Sequence, residues 1–426
     1  MTKKYYFISD LHLGGDGPLN KCEFETELID FLKKLEKENG AELIIVGDTF
    51  GFWEISKFSG VEKLEFVLRT HKKLFNQFKK TGMKTKITII PGNHDHDLIC
   101  NPKFKTILRK YNIVLEAKQH ITRVVGGKKI WIEHGNQQDE PTSFVPFGDK
   151  NYKPFGYYTT QKILIGAGKA SEVAKHPWIK ETESVTPDEL LPHWLFSNYF
   201  YKEMSPLLRY FLLPFIMLFT LSFLILFGLI LQLFGVFGSS VSISGPILKL
   251  GLVGRLIWTV ITIDIVLIIF LLFISIPLFL LVKDFKGALK RYKIIGDEGL
   301  KRYKYEVLAK YVKEVFKKHK DVFVYITAHT HNVSLTKKGR KILINTGTWL
   351  KRLKRVRNRF KFLPDVYYPT YELSYFKIYL HKKKVAIEYH KIHKKLEKLD
   401  LTRLERSLIV LRSKIRESKI PDIIYV

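Results

Sequence analysis

Pro91-Gly-Asn-His-Asp-His-Asp97 follows directly on the apolar, β-branched run Ile87-Thr-Ile-Ile90. A run of that kind predicts a buried strand, so the loop leaves a strand's carboxyl end. Gly92 lets the backbone turn sharply and presents Asn93 and His94 at the strand tip. One amide, two imidazoles and two carboxylates within five residues concentrate metal ligands and proton-transfer groups. Alone, such a loop reads equally well as a polar turn with solvated histidines. Its meaning depends on what the other strand ends supply.

They supply the same chemistry. Tyr5-Tyr-Phe-Ile8 reads as a first strand and runs into Ser9-Asp-Leu-His-Leu-Gly-Gly15. Leu43-Ile-Ile-Val46 is a second buried strand and ends in Gly47-Asp48. A strand over Lys129–Ile132 ends in Glu133-His-Gly-Asn136, and Val322-Phe-Val-Tyr-Ile326 ends in Thr327-Ala-His-Thr-His331. Between them, the apolar spacing predicts helices over Cys22–Asn39, with Gly40 as the stop, over roughly Lys63–Lys80, and over Lys301–Lys320. Further strands are expected near Ile113–Leu115, Thr122–Val125, Lys341–Ile344, Tyr371–Leu380 and Lys384–Tyr389. In open α/β sheets the ligand site lies at the carboxyl ends of the strands.

The candidate site residues are therefore Asp10, His12, Asp48, Asn93, His94, Asp95, His134, His329 and His331. Residues two apart in extended chain share a face, so Asp10 and His12 converge on one point, as do His329 and His331. Sets of this kind arriving from separate strands can build two metal sites about 3.5–4 Å apart. Nitrogen and oxygen ligands without thiolates suit manganese, iron or zinc and disfavour a structural zinc site. Each motif alone is common; the five together, each behind an apolar strand, are a specific signal.

With these residues the chain resembles the calcineurin-like metallophosphoesterase superfamily, whose pattern runs DxH, GD, GNH(D/E), H and GHxH. Here it stands as Asp10-Leu-His12, Gly47-Asp48, Gly92-Asn-His-Asp95, His134 and Ala328-His-Thr-His331, with Ala328 where the family often has Gly. The resemblance covers Lys4 to about His134 and Glu306 to about Tyr389. It implies a four-layer α/β/β/α sandwich with two mixed sheets facing each other. It also implies two divalent cations, manganese first, with iron or zinc as alternatives. Asp10, His12 and His331 would hold one cation; Asn93, His134 and His329 the other; Asp48 would bridge them. A water made acidic by both cations would attack phosphorus, with His94 protonating the leaving oxygen and Asp95 orienting its ring. His96 and Asp97 have no assigned task. Gly47-Asp-Thr-Phe-Gly-Phe-Trp53, His134-Gly-Asn-Gln-Gln-Asp139 and Asn345-Thr-Gly-Thr-Trp349 resemble the branch containing UDP-2,3-diacylglucosamine hydrolase. Members with that activity commonly carry Arg where this chain has His94.

The remainder of the chain points to a membrane. Of its 426 residues, 71 are Lys or Arg and 41 Asp or Glu, a formal net charge of +30. That favours anionic partners: a bilayer surface, a phosphorylated substrate or nucleic acid. Tyr210 to Leu248 holds no charged residue, and its continuous part to about Phe237 would make a helix about 42 Å long, enough to span a bilayer core of about 30 Å. A second apolar run, Leu256–Val282, is interrupted by Asp264 alone, expected at headgroup level. Lys202, Arg209, Lys283, Lys286, Lys290, Arg291 and Lys293 flank the pair, against Lys249 and Arg255 in its connection. Under the positive-inside rule the ends, and the catalytic body, are cytoplasmic. No secretory signal is read at the start. Cys22 and Cys100 form no metal or disulfide spacing and read as reduced thiols.

The expected organisation is a discontinuous metallophosphoesterase domain over 1–140 and 296–393, and an aromatic, helical insertion over 141–205. A two-helix transmembrane hairpin over 206–283 (about 210–237 and 256–282) and a charged tail over 394–426, helical over Lys394–Ile420, complete it. Phe144, Phe147, Phe155, Tyr157, Tyr158, Trp178 and Trp194 are candidates for a lid over acyl chains, with core packing the simpler role for most. The basic run Lys351–Lys361 reads as a charged loop able to meet anionic headgroups. The function expected is a membrane-anchored hydrolase of a phosphodiester or pyrophosphate bond, with a lipid-linked nucleotide as candidate substrate. A nuclease or general phosphatase of the same superfamily is the first alternative, and a catalytically inactive membrane scaffold the second.

Overall fold

Strand β1 (Lys4–Ile8) divides its side chains between two cores: Tyr6 and Ile8 face helices, Tyr5 and Phe7 face another sheet. Strand β2 (Ala41–Val46) is buried along its whole length, which explains a continuous apolar run where one solvated face would have given alternation. These strands belong to a computed structural model that describes residues 3–164, 184–185, 190–236, 244–291, 299–357, 363–394, 401–410 and 420–426.

The first sheet also contains β3 (Lys86–Ile90), β4 (Ile113–Leu115), β12 (Ser374–His381), β13 (Lys384–Lys391) and β14 (Ile423–Tyr425), in the order β14-β13-β12-β1-β2-β3-β4. Strands β1 to β4 run parallel, and β12 to β14 are antiparallel. The second sheet has the order β5-β6-β7-β9-β8. Its members are β5 (His120–Val125), β6 (Lys128–Glu133), β7 (Val322–Thr327), β8 (Ser334–Lys338) and β9 (Lys341–Asn345), with β6, β7 and β9 parallel. Parallel neighbours carry their carboxyl ends to one edge, so each sheet gathers its strand-end loops on one side.

Three cores separate four layers. Tyr5, Phe7, Ile44, Val46, Phe376 and Ile378 of the first sheet pack against Ile130, Ile132, Val324, Ile326 and Ile344 of the second. Outside the first sheet, Tyr6, Ile8, Leu43, Ile45 and Ile87 meet α1 (Glu25–Leu35), α2 (Val61–Thr70), α3 (Lys72–Thr81) and α4 (Lys103–Arg109). Outside the second, Trp131, Val322 and Tyr325 meet Val312 and Val315, from the later part of the helix Gly299–Lys318. The α/β/β/α order expected from the family resemblance is what these contacts build. Arg123 on β5 ties the sheets: its Nη2 and Nε reach Glu42 on β2 at 2.7 and 3.1 Å.

Several local readings need correction. The helix expected over Cys22–Asn39 is confined to Glu25–Leu35. The helix expected over Lys63–Lys80 is two helices broken at His71, whose backbone leaves helical geometry and whose buried ring faces Glu25 at 3.4 Å. The basic run is not a loop: Lys351–Val356 forms strand β10, paired with β11 (Val366–Tyr371). Its charges are largely answered locally, Arg352 and Lys354 by Glu372 and Arg355 by Asp365; Asn358–Lys361 lie outside the described residues. In the tail the described helix is Arg403–Val410, and Ile423–Tyr425 adds an edge strand; 395–400 and 411–419 lie outside the description. The late part of the insertion, helix α5 (Leu191–Asn198), packs Trp194 with Val185, Leu353 and Tyr367.

By internal contacts the chain divides into one unit of Met1–Ser197 with Tyr303–Val426, and another of Asn198–Arg302. The second contains helices α6 (Pro206–Leu233) and α7 (Gly251–Arg291). Within α7, Gly251–Asp284 is the one stretch among the described residues long and apolar enough to cross a membrane; Leu218–Leu233 is a shorter apolar run. Asp264 has a partner within the helix pair. It is buried, and Ser222 Oγ donates to its Oδ2 at 3.1 Å, on a seam with Ile225, Ile261 and Ile268. The carboxylate turns into the helix pair.

Candidate metal centre

The loops after β1, β2, β3, β6 and β7 meet at one point. Backbone bonds hold them: the N–H groups of Leu11 and His12 donate to the Asp48 carbonyl at 2.9 and 3.0 Å. The Ala328 N–H donates to the His134 carbonyl at 2.9 Å, and Thr348 Oγ1 to the Asp10 carbonyl at 2.9 Å. The segment Asn345–Trp349 therefore braces the Asp10 loop, and Asn345 Nδ2 braces the His329 loop through Ala328 O at 2.8 Å.

The backbone is strained where the candidate ligands sit. Seven non-glycine residues among those described have positive φ. Five of them are Asp10 (50°), His12 (43°), Asp48 (48°), His329 (66°) and His331 (54°), so the left-handed strain is concentrated on the residues singled out by sequence. Strain of order 1–3 kcal/mol per residue persists only where the surroundings over-determine it, and it clusters at functional sites. Two glycines make room for the cluster. A Cβ on Gly47 would stand 2.4 Å from the His134 ring, and one on Gly92 would stand 2.2 Å from Asp48 Oδ1.

Around that backbone, three groups of side chains can each hold a metal ion: Asp10, His12 and His331; Asp48, His134 and His329; and His12, Glu54 and His94. His331 Nε2 lies 3.2 Å from Asp10 Oδ1, and His134 Nε2 lies 3.1 Å from Asp48 Oδ2. His12 Nε2 approaches the same Asp48 oxygen at 3.7 Å, which puts that carboxylate between the first two groups. Asn93 Oδ1 is 3.2 Å from His134 Nε2. His134 Nδ1 faces the Val46 carbonyl at 2.9 Å, so its N–H donates there and Nε2 is left as a lone-pair donor. His329 Nε2 is approached by Asp139 Oδ2 at 3.0 Å and Thr142 Oγ1 at 3.2 Å, two residues that sequence reasoning did not single out.

The donor set fits divalent cations. Asp10 and Asp48 are buried, yet neither carboxylate oxygen of Asp10, nor Nε2 of His12, has an aligned hydrogen-bond partner. Buried polar atoms without partners are costly, and a cation at these atoms removes that cost. The electrostatics agree. Burial would lower His134, but Asp48 and Asp10 raise it to about 10; burial would lower His12, but Glu54 and Asp48 raise it to about 9. The carboxylates thus draw positive charge into a buried space. With no thiolate present, the set suits hard or borderline ions.

His94 and Asp95 stand differently from expectation. Asp95 is corrected: its carboxylate accepts the N–H groups of Gly92 (2.7 Å), Thr49 (2.8 Å) and Phe50 (3.2 Å), which clips the β2 and β3 loops together. Burial and the neighbouring Asp48 push it up to about 7. The carboxylate at the His94 ring is Glu54, with Oε1 at 2.6 Å from Nδ1. That contact lies off the direction of the ring N–H, so it is a close approach and not yet an aligned hydrogen bond. Glu54 also approaches His12 Nδ1 at 3.8 Å. Burial opposes its ionised form, but the imidazoles of His94 and His12 hold its pKa below the carboxylate range. Trp53 covers His94, ring centroids 4.3 Å apart, and the His94 backbone N–H donates to Asp48 Oδ1 at 2.8 Å.

His96 and Asp97 anchor the insertion. The His96 ring stacks on Phe144 at 3.5 Å and its Nε2 accepts the Gly148 N–H at 3.1 Å; burial lowers it to about 4, which keeps it the neutral acceptor this bond requires. Asp97 pairs with Lys153 at 2.8 Å. Of the expected lid aromatics, Phe144 and Trp194 are core and Tyr157 rests on Trp53, while Phe155 and Tyr158 are exposed. Trp178 lies outside the described residues.

A two-sheet sandwich with imidazoles and carboxylates gathered at its strand ends defines a metal-dependent phosphoesterase. Residues 3–214, about half of the chain, match the family model described as calcineurin-like phosphoesterase, and the chain belongs to that family, whose activity is hydrolysis of phosphoester bonds. No curated protein matches the chain. Among solved structures it is similar to vacuolar protein sorting 29 from Cryptosporidium parvum (11% identity, TM-score 0.30, covering 94% of this chain and 97% of that one). It is also similar to wild-type Vps29 complexed with zinc from Entamoeba histolytica (11%, TM-score 0.29, covering 94% and 98%). A third is a conserved uncharacterized protein, a predicted phosphoesterase, from Streptococcus pneumoniae (8%, TM-score 0.27, covering 94% and 99%).

Proposed function

We propose that this chain is a membrane-held hydrolase of a phosphodiester or pyrophosphate bond that works with two divalent cations, manganese first. Asp10, His12 and His331 would hold one, Asn93, His134 and His329 the other, with Asp48 shared. The observation that carries this reading is the position of Asp48 Oδ2, within 3.1 Å of His134 and 3.7 Å of His12, between two sets of imidazoles. Cations there supply the Lewis acidity that makes a water nucleophilic near neutral pH and offset charge on the phosphoryl oxygens.

The chain's own residues do the rest. His94 gives its proton to the leaving oxygen, and Glu54 keeps the ring turned for that task. A catalytic contact loose in the free enzyme tightens once substrate is bound, and the off-line Glu54 contact fits that behaviour. Trp53 shields one face of His94 from water, while Asp95 fixes the loop without touching substrate. Asp139 and Thr142 hold the His329 ring in place.

Two apolar helices, α6 and α7, would form a hairpin in the bilayer, with the catalytic unit on the cytoplasmic side as the flanking Lys202, Arg209 and Lys283 favour. A lipid-linked nucleotide is the substrate class that this placement and the sequence resemblance support. The test is turnover by purified full-length protein in nanodiscs. With Mn²⁺, bis-p-nitrophenyl phosphate should be hydrolysed, His134→Ala should abolish it, and UDP- or CDP-linked lipid should be preferred. Turnover unaffected by chelator would refute the metal mechanism; hydrolysis of the soluble ester alone would refute the lipid substrate.

A further inference from the structure

The helical segment Phe155–Leu164 packs on Trp53 and Thr142, which border the metal centre, and is two-faced. Its inner face is settled by contacts. A Cβ on Gly156 would come within 3.2 Å of Thr142, the residue that touches His329, and 3.3 Å of Trp53. Tyr157 packs edge-on against Trp53 at 5.9 Å, and Gln161 Nε2 donates to the Trp53 carbonyl. Gly156, Tyr157 and Gln161 share one side of the segment. Phe155, Tyr158 and Lys162 fall on the other.

That outer face runs against ordinary surface chemistry. Phe155 is 61% exposed and Tyr158 50%, and the preceding loop adds Val145 at 68%. Lys150 and Lys162 are exposed among them. Two large rings on one helical face, bordered by lysines, cost free energy in water and gain it at a lipid interface. There rings sit among headgroups and lysines reach the phosphates. The same chain carries Gly251–Asp284, an apolar helix of 34 residues whose most apolar stretch is almost wholly unburied. The occupant that fits both the exposed rings and the positive border is an anionic bilayer.

We infer that the outer face of Phe155–Leu164, with Phe155, Tyr158 and Lys162, rests in the headgroup layer of an anionic bilayer and sets the mouth of the metal centre at the membrane surface. The inference rests on the membrane-held reading above and adds where the substrate enters: the scissile phosphate comes from the headgroup layer, past Trp53 and Tyr157, not from bulk solvent.

The experiment uses the full chain with Cys22 and Cys100 replaced by Ser, in nanodiscs of phosphatidylcholine and phosphatidylglycerol. An NBD fluorophore is attached through Tyr158→Cys and, separately, through Met83→Cys, a position 69% exposed on the soluble unit. Brominated lipids should quench the label at 158 several-fold more than the label at 83, and phosphatidylglycerol should strengthen that quenching. Equal quenching at the two positions overturns the inference, including the case in which this face serves a protein partner. Hydrolysis of bis-p-nitrophenyl phosphate is followed in the same samples. Its absence counts against the phosphoesterase reading alone, since the quenching contrast is read without turnover. Phe155→Ser/Tyr158→Ser should lose the bilayer contact, reported by an NBD label through Lys162→Cys, and keep hydrolysis of the soluble ester.

Discussion

Glu54→Gln is the change that best separates positioning of an acid from mere packing. The substitution keeps shape but removes the charge facing His94 Nδ1 at 2.6 Å, inside a site where Glu54 is only 4% exposed. Hydrogen bonds and contacts to a charged group are worth about 1.5–3 kcal/mol. At 1.36 kcal/mol per factor of ten, loss of that support at the transition state lowers kcat by roughly 10- to 150-fold. Glu54 lies farther from His12, at 3.8 Å, so metal affinity should change less than kcat. The assay compares two diesters of the same phosphate, one with a nitrophenyl and one with an alkyl leaving group. A nitrophenolate departs without a proton, whereas an alkoxide needs one. Glu54→Gln should therefore slow the alkyl ester by the full factor and the nitrophenyl ester far less, and His94→Ala should show the same contrast more strongly. Equal losses on both esters would show that Glu54 supports the metals or the fold and would refute its role at His94.

Three further outcomes follow from the contacts. Gly92→Ala places a Cβ at 2.2 Å from Asp48 Oδ1 and should displace that carboxylate, costing about 10²-fold in kcat as ångström-scale misplacement does. Gly127→Ala, strained by its positive φ but with open space around the new methyl, should cost stability and leave kcat unchanged; an equal loss of kcat would contradict the packing argument. Arg123→Ala leaves Glu42 to Thr88 and Lys86 alone and should destabilise the sandwich by about 1.5–3 kcal/mol in chemical denaturation. Burial alone would raise Glu42, but Arg123, Thr88 and Lys86 outweigh it and lower its pKa. Its contribution is therefore complete above the ordinary glutamate pKa and is lost as pH falls through the lower folded value. Stability of the wild type should decline in that acid window, and Arg123→Ala should flatten the decline. Metal binding should release protons, since His134 is raised to about 10 and His12 to about 9. Calorimetry in buffers of different ionisation enthalpy should show Mn²⁺ uptake that releases protons and strengthens as pH rises; uptake independent of pH would contradict the assignment of those imidazoles as ligands.

The strand-end residues were readable because each stands behind an apolar run that can only be a buried strand, and parallel strands gather their carboxyl ends. Ala328 in place of the family's usual Gly did not disturb this, since it is a buried residue whose N–H still reaches the His134 carbonyl. Glu54 was not readable by spacing, because a three-residue turn, Phe52–Glu54, aims it back at His94 from the β2 loop. A signal was nonetheless present: a lone carboxylate within Phe50-Gly-Phe-Trp-Glu-Ile55 is costly unless it meets a positive partner. Asp95 misled for the opposite reason. Adjacency in sequence suggested a partner for His94, whereas the turn at Gly92 sends its carboxylate back to backbone N–H groups. The break at His71 and the edge strand Ile423–Tyr425 depend on tertiary contacts that local periodicity does not contain. Asp264 depended on which face of its helix meets Ser222, and a run apolar on all sides does not say.

The central claim is two cations sharing Asp48, and the electron paramagnetic resonance spectrum of the Mn²⁺-loaded protein addresses it directly. Two ions bridged by one carboxylate couple their spins and give a multiline spectrum, which should collapse to the six lines of isolated Mn²⁺ in Asp48→Ala. A six-line spectrum from the fully loaded wild type, or an unchanged spectrum in the variant, would contradict the shared site.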